Sequence, residues 1–283
     1  MKKSFVALII LCILVGAGAV TKAGFERSRF YDLEQNRTID ARQAVEALKT
    51  KRFILVGEHH TTASHHAAQL AVIRMLHQSG VKVAVGLEMF RSDSQAELDR
   101  WVAGKTDPEA FESVYYDNWN YDWTLYRDIF EYARENSMPM IGLNVPRDIT
   151  RQVARAGYKS LSDDQRRRLG DVACRVDKEY MEYIRKAYGG HGHGNMSFMY
   201  FCEAQMVWDN AMAVAAIEYV ERHPDRVVVI LAGSGHVRKQ AIPYQIRSRS
   251  SQPFAVVLPE VPGLMDEQTL DSRDADLIFL DLE

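Results

Sequence analysis

The chain has 283 residues, 47% of them hydrophobic and 26% charged, with a formal net charge of −3. That length and apolar content allow a full buried core, in one large domain or two small ones. The near balance of charge gives no electrostatic basis for binding nucleic acid, and a mean hydropathy of −0.26 excludes a polytopic membrane protein.

The first residues stand apart. Lys2 and Lys3 precede an apolar run, Phe5–Val20, with small residues after it, the pattern of a secretory signal peptide. Cleavage is expected after Ala19 or Ala23, which makes residues 1–23 a leader and 24–283 a single domain exported to the periplasm or cell envelope. The alternative is an uncleaved anchor that keeps the protein at a membrane, since the run nearly reaches spanning length. Cys12 lies inside the run behind large residues, unlike a lipid-attachment cysteine.

Beyond the leader, short apolar runs alternate with amphipathic segments. Phe53–Gly57 reads as a buried strand. Ser64 to Ser79 reads as a helix with Leu70, Ile73 and Leu76 on one face and Gly80 as its stop. Val81–Glu88 is the next strand, and the three segments make a βαβ unit whose strands should be parallel and buried on both faces. Ser94 with Glu97 matches a capping box at the start of another helix. Met138–Pro146 gives a third strand, with Pro146 suited to the first turn of a following helix. Leu161–Cys174 looks helical and charged, and a long helix from about Ser197 to Arg222 turns Met206, Ala213 and Ile217 inward. Three more strands follow, Arg226–Gly233, Phe254–Pro259 and Ala275–Leu282. The fold class is therefore α/β, a mostly parallel central sheet with flanking helices and a mid-chain helical insertion. Cys174 and Cys202 fall in helical segments without metal-ligand spacing, and buried free thiols are expected in preference to a bridge.

The chemistry collects where strands end. "GEHH" follows the first strand, Glu88 closes the second, Asn144 and Arg147 follow the third, and "GSGH" (Gly233–His236) follows the fourth. Ligands of open parallel sheets bind in the crevice outside the carboxyl ends of the strands, so these polar ends mark one pocket. His59 and His60 are adjacent and on extended backbone point to opposite sides, so one of them faces the crevice. His65 and His66 fall on the next helix and read as exposed or capping residues.

These motifs carry a resemblance. G-E-x-H after one strand, the acidic residue of "LEMF" after the next and G-x-x-H in "AGSGHV" resemble the ChaN-like haem-binding uptake family. That family sits in a wider group with Tiki proteases, TraB/PrgY proteins and erythromycin esterases. Glu203–Ala213, "EAQMVWDNAMA", is similar to the family's A-Q-x-x-W-D-x-x-M-A helix, and the matches together span roughly residues 45–258. The resemblance implies an α/β fold, a shared pocket formed by Glu58, His60, Glu88 and His236, and a ligand-binding contribution from Gln205 and Asp209. It implies haem binding for ChaN-like members and metal-assisted hydrolysis for some relatives. ChaN-like proteins are often lipoproteins, and this leader departs from that pattern.

Two further stretches bear on the ligand. Tyr115–Tyr126 packs four tyrosines and two tryptophans into twelve residues. Tyr116, Trp119 and Tyr121 could wall a flat porphyrin, or the cluster could be core. Gly189–Phe201 places His191 and His193 on a glycine-rich loop, either as haem ligands or as surface residues. The expected function is an exported haem-binding protein serving haem or iron uptake, with Arg91 and Arg147 offsetting the pocket's carboxylates. The alternative is a metal-dependent hydrolase of esterase or peptidase type, with Glu58, His60, Glu88 and His236 as metal ligands and catalytic groups on a divalent ion. A third reading is a binding protein that keeps the pocket without its reaction. The expected partner is haem or another small molecule, not nucleic acid; membrane association through the leader and a homodimer stay open.

Overall fold

The computed structural model describes residues 28–169 and 197–280, with 178, 181, 182, 184, 185 and 188 between them. The leader, Cys12, Cys174, His191 and His193 lie outside the described residues.

Two short strands come first, β1 (Arg29–Asp32) and β2 (Arg37–Asp40), followed by α1 (Ala41–Leu48). A capping box starts α1: Asp40 accepts from the Gln43 N–H, and the Gln43 side chain accepts from the Asp40 N–H. Then come β3 (Phe53–Glu58), α2 (Ala63–Gln78), β4 (Val83–Arg91), α3 (Gln95–Val102), α4 (Pro108–Asn118), α5 (Trp123–Glu135) and β5 (Met140–Asn144). The mid-chain helical region contains α6 (Arg147–Ala156), α7 (Asp163–Leu169) and the long α8 (Phe198–Arg222). β6 (Val227–Gly233), α9 (Ser234–Val237), α10 (Ile242–Arg249), β7 (Phe254–Pro259) and β8 (Leu277–Phe279) complete the order.

Among the described residues, eight strands form one sheet in the order β2-β1-β8-β7-β3-β6-β4-β5. From β8 to β5 all neighbours are parallel, while β1 runs antiparallel to both β2 and β8. The α/β class and the parallel sheet are as expected from the sequence. The strands of the βαβ unit, β3 and β4, are parallel but not adjacent, because β6 inserts between them. The antiparallel pair β1 and β2 was not anticipated.

Alternation along the strands divides the core. Ile54 and Val56 of β3, with Val227, Val229 and Leu231 of β6, face the layer of α1 to α5. Phe53 and Leu55, with Val228, Ile230 and Ala232, face α8 and α10. The central strands therefore have no polar face, and their sequences read as continuous apolar runs. Each fully buried aliphatic side chain contributes about 1.5–3 kcal/mol, so these two layers hold the sheet and its strand ends in place. A third, smaller cluster packs Val153, Tyr158, Leu161 and Leu169 against Phe201, Cys202 and Met206 at the start of α8.

Two local expectations are corrected. Ser94 precedes α3 but makes no side-chain cap bond, because a short 3₁₀ turn, Ser92–Ser94, leads into that helix. Cys202 is buried and disulfide-bonded, not a free thiol. It is the one cysteine among the described residues.

β4 is irregular where it matters. Its pairing with β5 shifts between Leu87 and Arg91, so the strand bulges at the segment that carries Glu88. Gly142 of β5 lies under that bulge, and a methyl group there would run into the backbone carbonyl of Arg91. Gln95 holds the same edge, donating to the Met140 carbonyl and accepting from the Gly142 N–H. Gly142→Ala is therefore expected to cost about 1–3 kcal/mol of stability by overpacking. A urea midpoint within error of wild type would show that the bulge yields without cost.

Candidate functional site

The insertion of β6 between β3 and β4 builds the site. It pairs Glu58 with Gly233 at the carboxyl ends of their strands and sets the "GSGH" turn between Glu58 and Glu88. Glu58 continues the side of β3 that carries Ile54 and Val56, so it looks toward α2 and α5. It is 2% exposed. Three groups close around its carboxylate. His60 Nδ1 donates to Oε1 at 2.5 Å, and Tyr126 Oη of α5 donates to Oε1 and Oε2 at 2.9 and 3.0 Å. His66 of α2 sets Nε2 against Oε2. Burial alone would raise the Glu58 pKa, but the hydrogen bonds and charge of His60 and His66 outweigh it and bring the value to about 2. His60 moves the other way: burial pushes its imidazole down, and the contact with Glu58 and the charge of Glu88 push it up further. Both shifts favour the charged forms of the pair.

A second pair stands on the far side of Glu88. The alternation that turns Leu87 and Met89 toward the α1–α5 layer turns Glu88 the other way. Its Oε2 accepts the Gly233 N–H at 2.7 Å, and Oε1 lies 3.7 Å from Nε2 of His236. Nδ1 of His236 donates to Oδ1 of Asp209, a fully buried residue of α8, at 2.6 Å. Burial would lower the His236 pKa, but the charges of Asp209 and Glu88 raise it to about 9. Ser234 ties the turn to β3 by donating to the Glu58 carbonyl at 3.0 Å. Gly233 is glycine for a spatial reason: a Cβ there would stand 3.1 Å from Cε1 and 3.3 Å from Nε2 of His60.

The rim is aromatic. α4 ends at Asn118, just before Trp119, and α5 begins after Asp122, whose side chain caps it by accepting from the Thr124 N–H. The connection between them is thus pinned at both ends, and it lays Trp119 and Tyr121 on His60, with ring centroids 5.1 and 4.8 Å away. Both are partly exposed. The rest of the aromatic stretch divides: Tyr115, Trp123 and Tyr126 are core, and Tyr116 is largely exposed with its hydroxyl accepting the Trp123 N–H. Burial and the charge of Glu58 push the Tyr126 hydroxyl up, so it stays a donor.

The structure thus brings Glu58, His60, Glu88, His236 and Asp209 together. His59 is exposed while His60 faces the pocket, as the alternation requires. Gln205 sits on α8, half-buried. Two expectations fail. Arg91 and Arg147 do not contact the carboxylates: Arg91 donates to the Asp117 carbonyl and pairs with Asp93, Arg147 donates to the Asn118 carbonyl, and His60 and His236 are the side chains set against Glu58 and Glu88. His65 and His66 are buried, not exposed. His65 accepts the His59 N–H at 2.9 Å, and His66 belongs to the site. Tyr126 and His66 are not evident from the sequence; the one signal for them is polar atoms on otherwise apolar helix faces.

One ligand atom each from Glu58, His60 and Glu88 lies within 4.8 Å of the others, a spacing that can hold a metal ion. Residues 44–246 match the family model described as haem-binding uptake, Tiki superfamily, ChaN. The structure of ChaN of Campylobacter jejuni, which shows cofacial haem binding, is similar with a TM-score of 0.71 and 20% identity. That likeness covers 89% of this chain and 96% of the other, and it establishes a shared fold. The chloroplastic protein RETICULATA-RELATED 5 of Arabidopsis thaliana is 26% identical over 135 residues, 45% of this chain. The matched region spans 18% of that protein's own length.

Proposed function

Because the chain belongs to the haem-binding uptake family of the Tiki superfamily, ChaN, we propose that it binds haem over the carboxyl ends of β3, β6 and β4 and serves haem uptake outside the cytoplasm. The observation that carries this reading is the rim of Trp119 and Tyr121, two partly exposed rings packed on His60. A flat porphyrin gains area and stacking from such a wall. Arg147 donates to the Asn118 carbonyl just before Trp119, which sets one guanidinium group near the rim for a propionate, while Arg91 is already paired with Asp93. Tyr is an established haem ligand; burial removes Tyr115 and Tyr126 from that role, the Tyr116 hydroxyl accepts the Trp123 N–H, and Tyr121, packed on His60, is the rim tyrosine for the iron. Bound haem would supply the iron centre; the chain's part is to stack, to ligate and to keep the pocket's charges paired. His191 and His193 remain the alternative ligand source. Export is supported by the leader pattern and by the disulfide at Cys202, since structural disulfides persist in oxidising compartments.

A second reading is favoured by one observation, the convergence of Glu58, His60 and Glu88. A divalent ion there would activate a water for hydrolysis, and the buried carboxylates fit such an ion better than they fit a propionate. Titration of the purified protein with haemin, followed at the Soret band, separates the two. The expected result is saturable binding on the order of micromolar, with the ferric tyrosinate signature lost in Tyr121→Phe and retained in a His191→Ala, His193→Ala double variant. No saturable shift, together with stoichiometric divalent metal in the purified protein, would overturn haem binding in favour of the hydrolase.

A further inference from the structure

His236 stands on α9, a single turn of helix that follows Gly233. What restrains its ring comes from elsewhere. Asp209 lies mid-way along α8, is fully buried, and accepts the Nδ1–H at 2.6 Å. Trp208, its neighbour in sequence, meets the same imidazole edge-on at 6.1 Å between centroids. α8 is itself anchored near this point: Glu203 accepts the Tyr158 N–H at 2.7 Å, and Cys202 is disulfide-bonded. We propose that Asp209 is a positioning residue, which fixes the His236 imidazole so that Nε2 and not Nδ1 faces Glu88 and the pocket.

A neutral or charged imidazole has two distinct nitrogens, and the hydrogen bond made by one decides which is offered by the other. With Nδ1 committed to Asp209, Nε2 is the atom left for a ligand, 3.7 Å from Glu88. Glu58 does the same for His60 on the other side, where Nδ1 is engaged at 2.5 Å. A carboxylate behind each ligating or proton-carrying histidine is the usual way in which a site sets ring orientation. The difference is that the Glu58 pair is local to one strand end, whereas Asp209 is supplied by a helix 27 residues before His236. The helical region is thus made part of the site through one side chain. The inference rests on the strand-end pocket being the ligand site, but its test needs no ligand.

The test is the ring N–H spectrum of metal-free, ¹⁵N-histidine-labelled protein. The wild type should show a slowly exchanging Nδ1–H resonance, assigned to His236 by its loss in His236→Gln. Asp209→Ala should abolish it. Asp209→Asn, which keeps an acceptor oxygen without the charge, should retain the resonance with faster exchange and an upfield shift. A purely structural Asp209 would lower the melting temperature of both variants and leave the resonance of the folded protein untouched. Persistence of the resonance in Asp209→Ala, or an unshifted and equally protected resonance in Asp209→Asn, overturns the proposal. The asparagine variant alone decides the matter where the alanine variant does not fold. Failure of wild type to bind haemin would count against haem binding and leave this result standing.

Discussion

Glu58→Ala should lower the stability of the protein by about 3–5 kcal/mol, the usual cost of removing one partner from a buried ion pair. Glu58 is buried, and its two oxygens serve His60, His66 and Tyr126 together. Alanine leaves a tyrosine hydroxyl and two ring nitrogens without the acceptor they share, and a buried polar group left unpaired carries its full desolvation cost. Glu58→Gln keeps an acceptor for Tyr126 and should cost less, about 1–3 kcal/mol. The charge also sets the acid limit. Its folded pKa of about 2 lies below the ordinary 4.5, so its contribution is complete above pH 4.5 and is lost as pH falls toward about 2. Urea unfolding at neutral and acid pH checks both statements. A loss below about 1 kcal/mol in Glu58→Ala, the range of an exposed pair, would mean that the carboxylate does not hold this cluster.

This dual role bears on what could be read from the sequence. The site's main residues were legible because parallel strands buried on both faces must be apolar, so Glu58, Glu88 and the turn before His236 stand out as abrupt stops. His60 could be chosen over His59 from alternation alone. The order of the strands was not legible. β6 lies between β3 and β4 although its residues follow theirs by more than a hundred positions, and no local pattern encodes that. Helical periodicity treats His66 as polar and sends it outward; a buried carboxylate eight residues earlier draws it in. Charge alone points Arg91 and Arg147 at the carboxylates, whereas their partners are the carbonyls at the end of α4 and, for Arg91, Asp93. A disulfide depends on the separation of two backbones, which no local sequence pattern gives, and Cys202 is bonded although its spacing points to a free thiol. β1 and β2 are four residues each and lack an apolar run, so only their pairing at the sheet edge reveals them.

The other large effect is on the alkaline side. Between pH 6.5 and about 9 the metal-free protein should lose about 3 kcal/mol of stability, with His236 as the main cause. The sign follows from which state holds the proton more tightly. The folded pKa of His236 is raised from 6.5 to about 9, so the folded state keeps its proton where the unfolded chain releases it. Its contribution is therefore complete below pH 6.5 and is lost as pH rises through about 9. Each tenfold difference in proton affinity between the two states is worth about 1.4 kcal/mol, which gives the size of the loss. Asp209 from α8 and Glu88 from β4 face the imidazole and hold its proton against the effect of burial. His60, on the other side of Glu88, is raised in the same direction and adds to the slope. His236→Gln removes the titrating group while leaving a side chain that can donate to Asp209. In that variant the pH dependence should flatten to the part owed to His60. Urea midpoints measured across this range in the presence of a chelator give the slope directly. Equal slopes in wild type and His236→Gln would show that the two carboxylates do not hold an imidazolium between them, and that the charge of this pocket is balanced elsewhere.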